Sequence, residues 1–154
     1  MKKSLIFLTL VMPFALSTPM VLGADACKLS VEIDTTKTLQ AALSIHQNVK
    51  REMIELQKLA SGLEGSAAEV SQQILIRLGD TKENLQQAFS KLDDSQSLPL
   101  ILAQAQGRLT AALGKFRGFR DLNLDEGKRG RISCVEQRLD ELNQRLQDIL
   151  KAPR

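Results

Sequence analysis

The chain has 154 residues, 25% charged and 43% hydrophobic, with a formal net charge of +3. That composition is globular rather than disordered. One His, two Cys, five Phe and no Tyr or Trp leave little for a zinc site or an aromatic stacking platform.

The first 26 residues read as a secretory signal peptide. Lys2 and Lys3 open it, an apolar run follows from Leu5 to Leu16, and Ala24-Asp25-Ala26 supplies a small-x-small cleavage site. Cleavage after Ala26 fits best, with Gly23 and Ala24 as neighbouring options. An uncleaved membrane anchor fits less well, because the apolar run is short and carries Pro13. Cleavage leaves one domain, residues 27–154, the size of an ordinary single core. It removes Lys2, Lys3 and Asp25, so the net charge falls from +3 to +2. A nearly neutral chain is not expected to bind nucleic acid, which needs a basic face.

The expected location is therefore the bacterial periplasm or the medium. There two cysteines pair, and Cys27 with Cys134 is the one intramolecular bridge available. The chain-entropy model credits so long a loop with ~4–5 kcal/mol. Free Cys27, or pairing between two copies, are the alternatives. Cys27 as first mature residue also raises lipidation, the one route by which membrane association is expected. Asp25 sits where a small uncharged residue is wanted, and the match is poor.

Residues 28–34 alternate, with Leu29, Val31 and Ile33 between polar neighbours. Period two means extended chain, and without a partner strand it is expected to be an arm. The first helix is predicted over 35–61. Its seam is Leu39, Ala42, His46, Val49, Met53, Leu56, Ala60 and Leu63, in steps of three and four, widened by Ile45 and Leu59. The second is predicted over 66–93, opening on a Ser66–Glu69 capping box. Its seam of Ala67, Val70, Ile74, Leu78, Thr81, Leu85, Ala88 and Leu92 contains a doubled step of four, a stutter beside Gly79. One helix through a flaw is favoured over two helices meeting at Gly79.

Ser97 and Pro99 start a third helix, 98–118, with Leu98, Leu102, Ala105, Leu109, Ala112, Phe116 and Phe119 as its seam. Its glycines, 107, 114 and 118, suggest close helix approach, although the last two also suit a frayed end. Residues 120–130 show no seam and read as the longest loop. The fourth helix, 131–150, has the most regular heptad: Ile132, Val135, Leu139, Leu142, Leu146 and Ile149. Glu141 and Arg145 are spaced for an i,i+4 pair.

These features predict an all-α protein, an antiparallel four-helix bundle with an extended N-terminal arm, or five helices if Gly79 breaks the second. In up-down order the first and fourth helices start at opposite ends, which separates Cys27 from Cys134. The bridge then needs the arm to run back along the bundle, or the 120–130 segment to cross over, or a break at Gly79. The arm is favoured, since seven residues span roughly 20 Å.

Chemistry is sparse. His46 has no nucleophile or orienting partner in a recognisable motif, and a lone His on an apolar stripe suits packing better than catalysis. Asp93 and Asp94 lack the Gly and Glu of a calcium loop. Gly127 and Gly130 lack the context of a phosphate loop. No cofactor is expected. A small all-helical enzyme acting through charges alone would draw on Lys50, Arg51, Glu55 and Arg77, but would need them to converge inside the bundle.

The candidate contact for a partner or anion is the cluster Lys115, Arg117, Arg120, Lys128, Arg129 and Arg131. The expected function is non-enzymatic: protein–protein contact, as in an accessory factor of an envelope or secretion assembly. Alternatives are an immunity or inhibitor protein that neutralises a toxin, and a periplasmic chaperone-like binder. The regular fourth helix is the place where a second copy would dock, if its seam is uncovered.

Overall fold

The computed structural model describes residues 27–90 and 96–152. The proposed signal peptide, the expected last residues of the second helix with Leu92, the Asp93-Asp94 pair and the closing Pro153 lie outside them. Four helices follow one another: α1 (Thr38–Ala60), α2 (Gly65–Ser90), α3 (Leu98–Lys115) and α4 (Glu126–Lys151), with a 3₁₀ turn at Phe116–Phe119. Each helix packs on the next, and α4 closes the ring against α1. This is the up-down-up-down bundle that the seams imply, and the described residues contain no strand.

α2 runs unbroken through Gly79, and the stutter disappears. Its buried positions are Ala67, Ser71, Ile74, Leu78, Thr81, Leu85 and Ala88, a regular alternation of four and three. Ser71, not Val70, fills the seam. Its hydroxyl donates to the Ala68 carbonyl at 2.7 Å, so the helix itself satisfies a buried polar group. Thr81 does the same to Arg77 at 2.9 Å.

α1 is rotated from its expected face. Its interior is Ala41, Ala42, Ile45, Asn48, Val49, Glu52 and Leu56. His46 and Met53 are half-buried beside it, and Leu39 is exposed. Glu52 occupies the seam because it has a partner. Arg138 of α4 donates Nε and an Nη to the two Glu52 oxygens, each at 2.8 Å. α1 also starts at Thr38 rather than residue 35, because Asp34 accepts the Thr36 amide at 3.0 Å and holds a turn there.

α4 starts five residues before its expected position. Asp125 accepts the Lys128 amide at 2.8 Å as N-cap, and Glu126 suits the positive end of the helix dipole. Gly127 and Gly130 are thus helical, and only about six residues before Glu126 form the loop. All six heptad residues of α4 are buried, none more than 4% exposed. The bundle consumes this seam, so it offers no apolar face for a second copy.

Cys27 and Cys134 are bridged, with Cα atoms 4.7 Å apart. The arm follows α4 toward its C-terminus, as the favoured arrangement requires. The Leu29 amide donates to Glu141 Oε2 at 2.9 Å, and Ile33 enters the core at 6% exposure. Val31 faces out, so the arm is irregular rather than strictly alternating. Glu141 is therefore engaged with the arm, and Arg145 instead approaches Asp148 at 3.8 Å.

Of the three glycines in the predicted third helix, one permits close approach. A Cβ on Gly118 would sit 2.9 Å from Val70 Cγ2, whereas Gly107 and Gly114 have open space. Gly118→Ala is expected to cost about 1–3 kcal/mol through overpacking, read from urea unfolding. The same change in a Val70→Ala background should cost clearly less, since the clashing methyls are gone.

Candidate functional site

The basic residues of 115–131 are engaged in different ways. Lys128 Nζ lies 3.5 Å from the Asp125 carboxylate it helps cap. Arg129 is spent on the loop: its guanidinium donates to the carbonyls of Leu122 at 2.8 Å and Arg120 at 3.3 Å. Arg131 faces the α1 side, where its charge acts on Glu55. Lys115 is exposed. Arg117 and Arg120 meet at an open groove of about 600 Å³ between α3 and α4; Lys128 lines another, with Gly62 and Asn123.

The groove follows from the sequence of both helices. On α3, Thr110 and Gly114 keep one wall low; on α4, Ser133, Glu136, Gln137, Asp140 and Asn143 line the other. These α4 residues flank the heptad seam at steps of three and four, a polar stripe beside the apolar one. Asn143, 5% exposed, anchors the floor. Its Oδ1 accepts from Thr110 Oγ1 at 3.3 Å and Gln106 Nε2 at 3.4 Å.

Two cations and two carboxylates thus share one concave surface. Burial raises the Glu136 carboxyl above the usual glutamate range; Arg120 opposes this and Asp140 adds to it. The ionised form is disfavoured in the folded state. This penalty is present at neutral pH and fades as pH falls through the raised folded value to below the unfolded one. Glu136→Gln is accordingly expected to stabilise the fold slightly at neutral pH, by roughly 0.5 kcal/mol or less. The gain should shrink in acid, as calorimetry at several pH values would show.

The remaining candidates are dispersed. His46 sits edge-on to Phe89, ring centroids 5.7 Å apart, and its Nε2 has no hydrogen-bond partner among the described residues. Burial first, then Lys82 and Lys50, hold its imidazole below the usual range. Arg51 donates to Asn48, Glu55 pairs with Lys58 and Arg77 with Asp80. These three charges have partners along their own helices, and none of them lines the α3–α4 groove. Among the described residues no group of His, Cys, Asp and Glu is arranged to hold a metal ion, and no helix is long and apolar enough to cross a membrane.

Sequence reasoning reached Arg117 and Arg120 through their charge but missed Thr110, Glu136, Asp140 and Asn143. The signal for the α4 residues was the polar stripe at 133, 136, 140 and 143, which becomes visible once the flanks of a heptad are read as carefully as its seam. No family model, curated protein or solved structure matches the chain.

Proposed function

We propose that this is a secreted or periplasmic bacterial protein that acts through protein–protein contact, with the α3–α4 groove as its recognition surface. The observation that carries the reading is the concave surface holding Arg117, Arg120, Glu136 and Asp140 together. Mixed charge in a fixed register favours one complementary partner and rejects others by like-charge contact. The disulfide supports an oxidising compartment, and the apolar start of the chain supports export.

A dedicated accessory, immunity or inhibitor role fits better than a chaperone-like one. A chaperone needs an accessible apolar groove, whereas the seams here are buried in the bundle. The test is affinity capture from the native cell envelope after mild crosslinking, with wild type beside Arg117→Glu/Arg120→Glu. One dominant partner, lost from the variant while its melting curve is retained, is expected. Equal capture by both forms, or a broad set of weakly held proteins, contradicts the reading.

A further inference from the structure

We infer that the Cys27–Cys134 bridge is a site of thiol–disulfide exchange, and that its reduction frees the N-terminal arm from α4 while the four helices stay folded. The arm is held by the bridge itself, by the Leu29 amide on Glu141 with the Leu29 side chain packed against the core, and by Ile33 within the core. Lys28, Ser30, Val31 and Glu32 are exposed. The bundle interior is otherwise supplied by the helices and the 3₁₀ turn, with Leu63 from the α1–α2 turn. Breaking the bridge therefore cuts no helix–helix contact. Both cysteines are half-buried rather than enclosed, and exchange depends on such access for an incoming thiolate.

The partner implied is a protein dithiol. Its thiolate attacks one sulfur of the bridge, forming a mixed disulfide and expelling the other cysteine as thiolate, which takes up a proton. The second thiol of the reductant then closes on the first, releasing the remaining cysteine. Two electrons pass to the bridge, the reductant leaves as a disulfide, and both Cys27 and Cys134 end as thiols. The face uncovered includes the polar Glu141, Gln144 and Arg145, which line the shallow groove that residues 28–32 now share, and the apolar surface now under Leu29 and Ile33. Glu141 loses the amide donor it accepts from. This face is separate from the α3–α4 groove, and the proposal stands whether or not that groove binds a protein.

The experiment uses the oxidised protein without denaturant, treated with millimolar dithiothreitol and then alkylated. Thiols are counted by mass spectrometry, secondary structure is followed by far-UV circular dichroism, and amide hydrogen exchange is mapped. Expected are two alkylated cysteines, an unchanged helical spectrum, and exchange at amides 28–33 faster by about tenfold or more, with the Leu29 amide as the sharpest reporter. Amides of α2 and α3 should keep their protection. Three results overturn the proposal: a bridge that resists reduction until denaturant is added, an arm still protected once both cysteines are alkylated, or accelerated exchange spreading through α2 and α3.

Discussion

Arg138→Ala is expected to destabilise the protein by about 3–5 kcal/mol, the usual loss when one partner of a buried ion pair is removed. The asymmetry of the pair makes the prediction specific. The Glu52 side chain is 2% exposed and that of Arg138 21%. Removing Arg138 strands a carboxylate in the interior with no route to water. Removing Glu52 leaves a guanidinium on a long stem that can swing outward, so Glu52→Ala should cost distinctly less. Replacing both with leucine should restore most of the loss, because well-packed apolar pairs often match buried ion pairs in stability. Urea unfolding of the four proteins measures these differences. Equal losses from the two single alanine variants would mean that the pair is more hydrated than its burial implies.

Leu142→Asp should abolish cooperative folding. Leu142 is 0% exposed at the centre of the α4 seam. Truncation alone at such a site costs about 2–5 kcal/mol, and an unpaired carboxylate adds several more. Together these approach the ~5–15 kcal/mol that stabilises an ordinary domain. The expected far-UV spectrum has lost much of its helix and shows no sharp melt. Ile76→Asp is the control. Ile76 lies on the outer face of α2 at 55% exposure, where substitutions usually stay within about 0.5 kcal/mol. A folded Leu142→Asp protein with altered self-association would instead mean that the α4 seam faces outward.

The fold was legible because bundle helices carry it in their period. α3 and α4 bury almost the residues that their spacing selects, and the arm's return along α4 follows from the need to bring Cys27 to Cys134. The sequence reading failed where a polar residue holds a core position. Choosing Val70 over Ser71 created a stutter that α2 does not have. Placing His46 and Met53 in the seam and leaving out Glu52 turned α1 by part of a step, although Ile45, included in its widened stripe, is buried as expected. In each case the polar residue is satisfied by a partner: Ser71 by the carbonyl of Ala68 on its own helix, Glu52 by Arg138, 86 residues away. A local pattern can suggest the first partner and contains nothing of the second.

The start of α4 was missed for a different reason. Gly127 and Gly130 argue for a loop by propensity, yet the Asp125 cap and the packing of Ile132 onward override two weak helix formers. The candidate site was half legible. Charge pointed to Arg117 and Arg120, but Arg129 and Lys128, which look identical in sequence, are occupied by the Leu122 carbonyl and the Asp125 carboxylate. Which arginines remain available depends on where the chain turns back, a tertiary property.

The most direct measurement places a photocrosslinking amino acid at Gly114, in the α3–α4 groove, and in a second protein at Ile76, on the outer face of α2. Both are expressed in the native host, irradiated in living cells, and compared by size and mass spectrometry. One dominant crosslinked protein is expected from Gly114 and none from Ile76. The same product from both positions, or none from the groove while Ile76 gives one, would contradict recognition through the α3–α4 groove.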